Sequence, residues 1–156
     1  MPDLLRKELG DFNSIACFKA AVVGIEDTLG EKATAIALIS AGRARGKKLA
    51  QDLGFLGGLT SLEEATEKLK LALGKEGTRL CIIEKITCVD DAIKVYTSET
   101  VCSAGEPPGS NRKCTFTMGA VWGAIEQLLG KRLKGVHIES VLRGGTHDVF
   151  EFTPLE

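Results

Sequence analysis

Aromatic residues are scarce in this chain of 156 residues: six Phe, one Tyr and one Trp make up 5% of it. Bases have few rings to stack on, and 20 basic against 21 acidic residues leave no excess charge to draw a phosphate backbone. Apart from Arg43, Arg45, Lys47 and Lys48 no cationic cluster stands out, so nucleic acid is not an expected partner. The long apolar run of a transmembrane helix is missing, and the opening MPDLLRKELGDF has charges where a signal peptide needs an apolar core. CxxC pairs are missing as well. The odd set Cys17, Cys81, Cys88, Cys102 and Cys114 argues against a disulfide framework or a zinc ribbon and reads as reduced thiols, which predicts a cytoplasmic protein. No GxGxxG follows a strand, and GRARGK has neither the preceding strand nor the spacing of a P-loop, so its charges read as a solvated helix face.

What is present is a chain long enough for one domain, 1–156, able to bury roughly 70% of its unfolded surface. Asn13 or Ser14 can cap a first helix in which Ile15, Phe18, Val22, Ile25 and Leu29 recur at helical spacing, and Gly30 closes it. A second helix is predicted from Glu31 to Leu53. Its Ala33, Ala37, Ala41 and Ala44, with Gly42 and Gly46, would let another element approach closely. The Gly57-Gly58 break and the capping box from Ser61 to Glu64 introduce a third helix carrying Leu62, Ala65, Leu69 and Leu73, ended by Gly74. RLCIIEKITC and DAIKVYTSET then alternate around Asp90-Asp91 as an antiparallel hairpin.

Residues 103–112, SAGEPPGSNR, have the Gly and Pro density of a surface loop, a candidate gate. Helical periodicity resumes from Cys114 to Leu129, through Met118, Val121, Ile125 and Leu128. A second hairpin, KGVHIESVL and HDVFEFT, turns across Arg143-Gly144-Gly145-Thr146. The fold class is therefore α/β, of the α+β kind: helices packed on an antiparallel sheet of about four strands built from two hairpins.

Centring the last turn on Gly144 and Gly145 puts Val141 opposite Asp148, Glu139 opposite Phe150 and His137 opposite Phe152. His137 and Glu139 then share a strand face about 7 Å apart and form the one local acid/base pair. The blander reading makes them residues of an open sheet face, and His147 an exposed turn residue. The stripe Met118, Val121, Trp122, Ile125 and Leu128 reads either as plain core or, beside Gly119 and Gly123, as the wall of an apolar pocket.

Cys114, Gly119, Gly123, Gly130, Lys131, Glu139, Gly144 and Phe152 together form a pattern that resembles the vinyl-4-reductase-like, hydrocarbon-binding domain family. LGEKATAIALISAGRARGKKLA is similar to that family's glycine-bearing helix, and TSET to the strand end before its cysteine helix, so the likeness runs from about residue 12 to 153. The resemblance implies kinship with vesicle-tethering subunits that carry an acyl chain, with sensor modules of aromatic-responsive activators, and with accessory proteins of bacteriochlorophyll synthesis. It also implies a homodimer.

The zinc site of the sensor members, carried over, falls on Cys114, Glu139, Leu142 and Phe150. Half the donors are missing, so zinc is not an expected cofactor unless His137, His147 or Cys102 substitutes. The resemblance implies non-catalytic binding of a small hydrophobic ligand, as carrier, sensor or assembly factor, with a tetrapyrrole or its precursor as the candidate. Phe18, Val22, Ile36, Met118, Trp122 and Ile125 are the expected wall, and His137, His147, Cys114 and Glu139 the axial or polar groups. Two alternatives stand beside this reading: an accessory protein in vinyl-group reduction of chlorophyll precursors, and a dimeric scaffold without ligand.

Overall fold

A computed structural model describes residues 4–55 and 61–155; the Gly57-Gly58 break lies outside the described residues. The chain forms two compact units, Met1–Thr34 and Ala35–Glu156. The first contains α1 (Ile15–Leu29), which follows Ser14 and stops at Gly30, where a φ of 87° suits glycine and its N–H returns to Glu26 O. The expected apolar stripe is there, but no residue of α1 is fully buried; Phe18 and Val22 are half-buried.

α2 (Glu31–Asp52) begins in the first unit and runs on through the second. The second unit continues with α3 (Leu62–Leu73), β1 (Ile82–Val89), β2 (Ala92–Ser98), α4 (Phe116–Leu129), β3 (Leu133–Glu139), a 3-10 turn (Val141–Arg143) and β4 (Asp148–Pro154). Ser61 caps α3 by accepting from the Glu64 N–H, as the capping box requires. The four strands make one antiparallel sheet in the order β1-β2-β4-β3, so the two hairpins join through β2 and β4. Asp90 and Asp91 both have positive φ, the backbone a two-residue hairpin turn demands.

The sheet buries one face. Ile83, Ile86, Ile93, Val95, Leu133, Phe150 and Phe152 point into a core shared with Leu69 and Leu73 of α3 and with Met118, Val121, Ile125 and Leu128 of α4. The other face carries Ile82, Lys94, Tyr96, Val136 and Ile138.

The register of the last hairpin differs from the sequence expectation. His137 lies opposite Phe150 and Gly135 opposite Phe152, because the residues after Glu139 coil into the 3-10 turn and the ladder shifts between His137 and Glu139. The connection is thus longer than a four-residue turn, and the two-residue shift keeps His137 on the sheet face of Phe150 and Phe152, where its side chain is buried. α4 also starts two residues late, at Phe116, because Cys114 is tied to neighbours off the helix axis.

α2 and α4 meet backbone to backbone. A Cβ on Gly42 would run into Phe116 O, on Gly46 into Ala120 O, on Gly119 into Ile39 O and on Gly123 into Arg43 O. Four glycines, two on each helix, let the axes approach until carbonyl groups of one touch Cα atoms of the other. Gly46→Ala and Gly123→Ala should each cost about 3 kcal/mol, since backbone cannot step aside as a side chain can. Gly24 of α1 has open space where its Cβ would lie, and Gly24→Ala should stabilise by about 0.5–1 kcal/mol. Urea denaturation of the three variants measures both; equal effects would refute the contact.

Candidate functional site

Asp148 opens β4 on the apolar face, in alternation with Phe150 and Phe152, and is 1% exposed. A carboxylate there must be fully hydrogen-bonded to persist. Its Oδ1 pairs with His137 Nε2 at 3.0 Å, and its Oδ2 accepts from Ser103 Oγ at 2.8 Å and Thr100 Oγ1 at 3.2 Å. Burial alone would raise the Asp148 carboxyl, but hydrogen bonds to His137, Ser140 and Ser103 and the nearby imidazole outweigh it and hold the group below the ordinary carboxylate range. The Cys81 thiol shows the same field with the opposite sign: burial first, and then the negative Asp148, push it up to about 12. Cys81 is therefore an inert core thiol.

The imidazole is held at both nitrogens. His137 Nδ1 accepts from the Cys114 N–H at 3.4 Å, which assigns the proton on Nε2 to the Asp148 hydrogen bond. Asp148 and His137 thus tie β4 and β3 to the residue that leads into α4. Cys114 is itself joined to Cys102 in a disulfide, contrary to the expectation of reduced thiols. Spacing conceals this pair, because the twelve-residue separation closes only once the loop folds back across Asp148.

That loop is stitched along its length. Ser103 holds Asp148, Glu106 and Arg112 form an ion pair, the Gly109 N–H donates to Leu142 O, and Arg143 donates to Ser110 O and Arg112 O. Beside it, a cavity of about 440 Å3 is lined by His137, Glu139, Ser140 and Arg143 with the turn glycines Gly144 and Gly145. Glu139 Oε1 accepts the Thr146 N–H at 3.1 Å.

The four polar groups singled out from sequence therefore divide. Cys114 and His137 meet, Glu139 lines the cavity with His137, and His147 stands apart, edge-on to Tyr96 with its Nδ1 on Thr146 Oγ1. The zinc set does not fit. Cys114 is bonded to Cys102, Glu139 holds a backbone N–H, and Leu142 and Phe150 are buried apolar residues. No group of three His, Cys, Asp or Glu side chains poised for a metal occurs among the described residues.

The six wall residues are likewise distributed. Met118 and Ile125 sit in the core, while Ile36 on α2 is 63% exposed. Trp122 packs on the core's margin, its Nε1 bound to Leu133 O, Arg43 over its ring and Phe152 tilted against it. Sequence reasoning missed Asp148, Thr100 and Ser103, and the pairing of Cys102 with Cys114. The available signal was Asp148 itself, an acid in phase with Phe150 and Phe152, which cannot lie on that face without partners.

Solved structures share this fold. The phenol-responsive sensory domain of the transcription activator PoxR, determined with phenol, aligns over 94% of this chain and 78% of its own, with a TM-score of 0.71 at 15% identity. A trafficking protein particle complex subunit 3 from Naegleria fowleri, covalently bound to palmitic acid, gives 0.60 at 13% identity over 91% of this chain and 93% of its own. A vinyl-4-reductase family protein from Methanocaldococcus jannaschii gives 0.54 at 18% identity over 96% and 86%. The fold is the vinyl-4-reductase-like one. No family model and no curated protein matches the sequence, so the likeness is one of architecture. Within the vinyl-4-reductase-like fold of this chain, the His137–Asp148 pair is a structural clasp whose donors and acceptors are all engaged.

Because the folded Asp148 carboxyl lies below the unfolded value of about 3.9, its contribution to stability is complete above that pH and is lost as pH falls through the depressed folded value. Asp148→Asn should cost on the order of 3 kcal/mol at neutral pH and flatten the stability profile below pH 4. Thermal melts of both proteins from pH 3 to pH 7 test this; parallel profiles would contradict it.

Proposed function

We propose that the chain acts as a single non-catalytic domain that binds a small hydrophobic ligand, as carrier, sensor or assembly factor. The observation that carries this reading is the fold shared with two proteins seen with apolar or aromatic molecules, phenol in one and palmitic acid in the other. The apolar surface supports it: Phe12, Ile15, Val23, Ile25 and Leu29 in the first unit, and Ile36 on α2, are each at least 40% exposed, more than a settled core leaves outside. Phe18, Val22, Ile36, Met118, Trp122 and Ile125 remain the proposed wall. A tetrapyrrole or its precursor is the proposed ligand class, with His147 the polar group freest to turn toward it, since His137 would have to give up two hydrogen bonds.

No helix of the described residues is long and apolar enough to cross a membrane. A cytoplasmic setting belongs to the proposal. The exposed apolar residues equally support a second reading, a homodimer that buries them and serves as a scaffold. A role as accessory in vinyl-group reduction rests on the likeness to the vinyl-4-reductase family protein alone.

Native mass spectrometry of freshly purified protein distinguishes the readings, followed by titration with phenol, palmitate and a porphyrin read by the one tryptophan, Trp122. A bound mass of a few hundred daltons, or saturable quenching weakened about tenfold by Met118→Ala, is the expected outcome. A dimer of apo mass with no saturable response to any of the three would overturn ligand binding in favour of the scaffold.

A further inference from the structure

The groove where α2 passes the end of α4 holds a second concentration of chemistry, remote from His137 and Asp148 in its lining. It is an open groove of about 470 Å3 lined by Arg43, Lys47, Glu126, Gln127, Lys131 and Arg132 together with small residues of both helices. Four cations and one carboxylate meet here in a chain whose net charge is −1. The carboxylate is already used: Glu126 Oε1 pairs with Arg43 at 2.8 Å and its Oε2 accepts the Leu133 N–H at 2.8 Å. Arg43 is used as well, since its guanidinium also lies 4.4 Å from the Trp122 ring centre.

Lys47, Lys131 and Arg132 have no ion-pair partner among the described residues. Other surface lysines do: Lys48 with Asp52, Lys68 with Glu64, Lys70 with Glu67 and Lys94 with Glu151. The C-terminus of α4, at Gly130, offers Lys131 and Arg132 some compensation, but a helix end amounts to roughly half a charge and fades within a turn. Three unpaired charges exceed it and repel one another inside one concavity. An anion would relieve that repulsion and receive charge-assisted hydrogen bonds from donors on α2 and on the segment after α4.

We propose that this groove binds a small polyanion bearing adjacent phosphate groups. Its volume suits a ligand of two or three such groups, and its cationic side chains supply the charge to hold them. The same chemistry is found free in solution and on an inositol-phosphate lipid headgroup. The groove is independent of the hydrophobic-ligand reading, because none of its lining residues belongs to the proposed apolar wall.

Isothermal titration of the full chain with inorganic pyrophosphate at low salt tests the site, alongside sedimentation with phosphatidylcholine vesicles with or without a phosphatidylinositol bisphosphate. Saturable pyrophosphate binding, weakened about tenfold by Lys47→Gln and by Arg132→Gln and left unchanged by Lys113→Gln outside the groove, is the expected result. Lys47 and Arg132 are exposed, so both variants should melt like the parent. Capture only by the phosphoinositide vesicles, with the same dependence on Lys47 and Arg132, would assign the phosphates to a lipid headgroup. Absence of saturable binding in both arms, or equal affinity of parent and variants, would overturn the proposal.

Discussion

The contact on which the larger unit depends is the meeting of α2 with α4 through glycines. At Gly42, Gly46, Gly119 and Gly123 no Cβ separates the two helices, and carbonyl oxygens fill the space that Cβ atoms would take. Such a seam contributes little apolar area. Its value is geometric, because it sets the helix separation by backbone dimensions rather than by side chains that could repack. Arg43 then reaches the Trp122 ring and Glu126 together, and Trp122 can lie over Gly135, where a Cβ would come within 2.8 Å of the indole. One glycine pattern thus fixes α4 to α2 and, through Trp122, to β3.

At the opposite end of α4 the constraint is electrostatic. Asp148 is buried as an anion and is stabilised only while Thr100, Ser103 and His137 point at it. Each donor comes from a different stretch: the residues after β2, the loop, and β3. The carboxylate therefore organises three segments that share little apolar surface, and the Cys102–Cys114 link closes the same circuit covalently. Replacing the whole cluster by apolar residues would cost less than removing any single member, since one missing donor leaves a buried charge short of partners.

The elements were legible in the sequence because their determinants are local. The capping box at Ser61, the paired aspartates at the first hairpin and the small-residue face of α2 each specify geometry within a few residues. The register of the second hairpin was not legible, because glycines at 144 and 145 suggested a tight turn while the chain spends Val141–Arg143 on a 3-10 turn first. The shift is of two residues, so it re-pairs His137 with Phe150 instead of Phe152 and leaves it on the same face of the sheet. The disulfide and the Asp148 network were hidden for a related reason. Both depend on long-range closure of the 103–113 loop, and neither leaves a periodic trace.

The two constraints also bear on how a hydrophobic ligand could be accommodated. Opening the α2–α4 seam is costly, since carbonyl and Cα atoms already touch and a gap of roughly 0.5–1 Å forfeits about a quarter to a half of each contact. Ile125 is fully enclosed between α4 and the sheet. Met118 is different: it lies one turn above Trp122, is 7% exposed and carries an unbranched thioether that changes rotamer at low cost. Space for an apolar ligand between α4 and the sheet would therefore come from side-chain movement at Met118 and its neighbours rather than from a shift of helices. The glycine seam would hold the frame while Met118, the single pliable residue of the proposed wall in that unit, adapted.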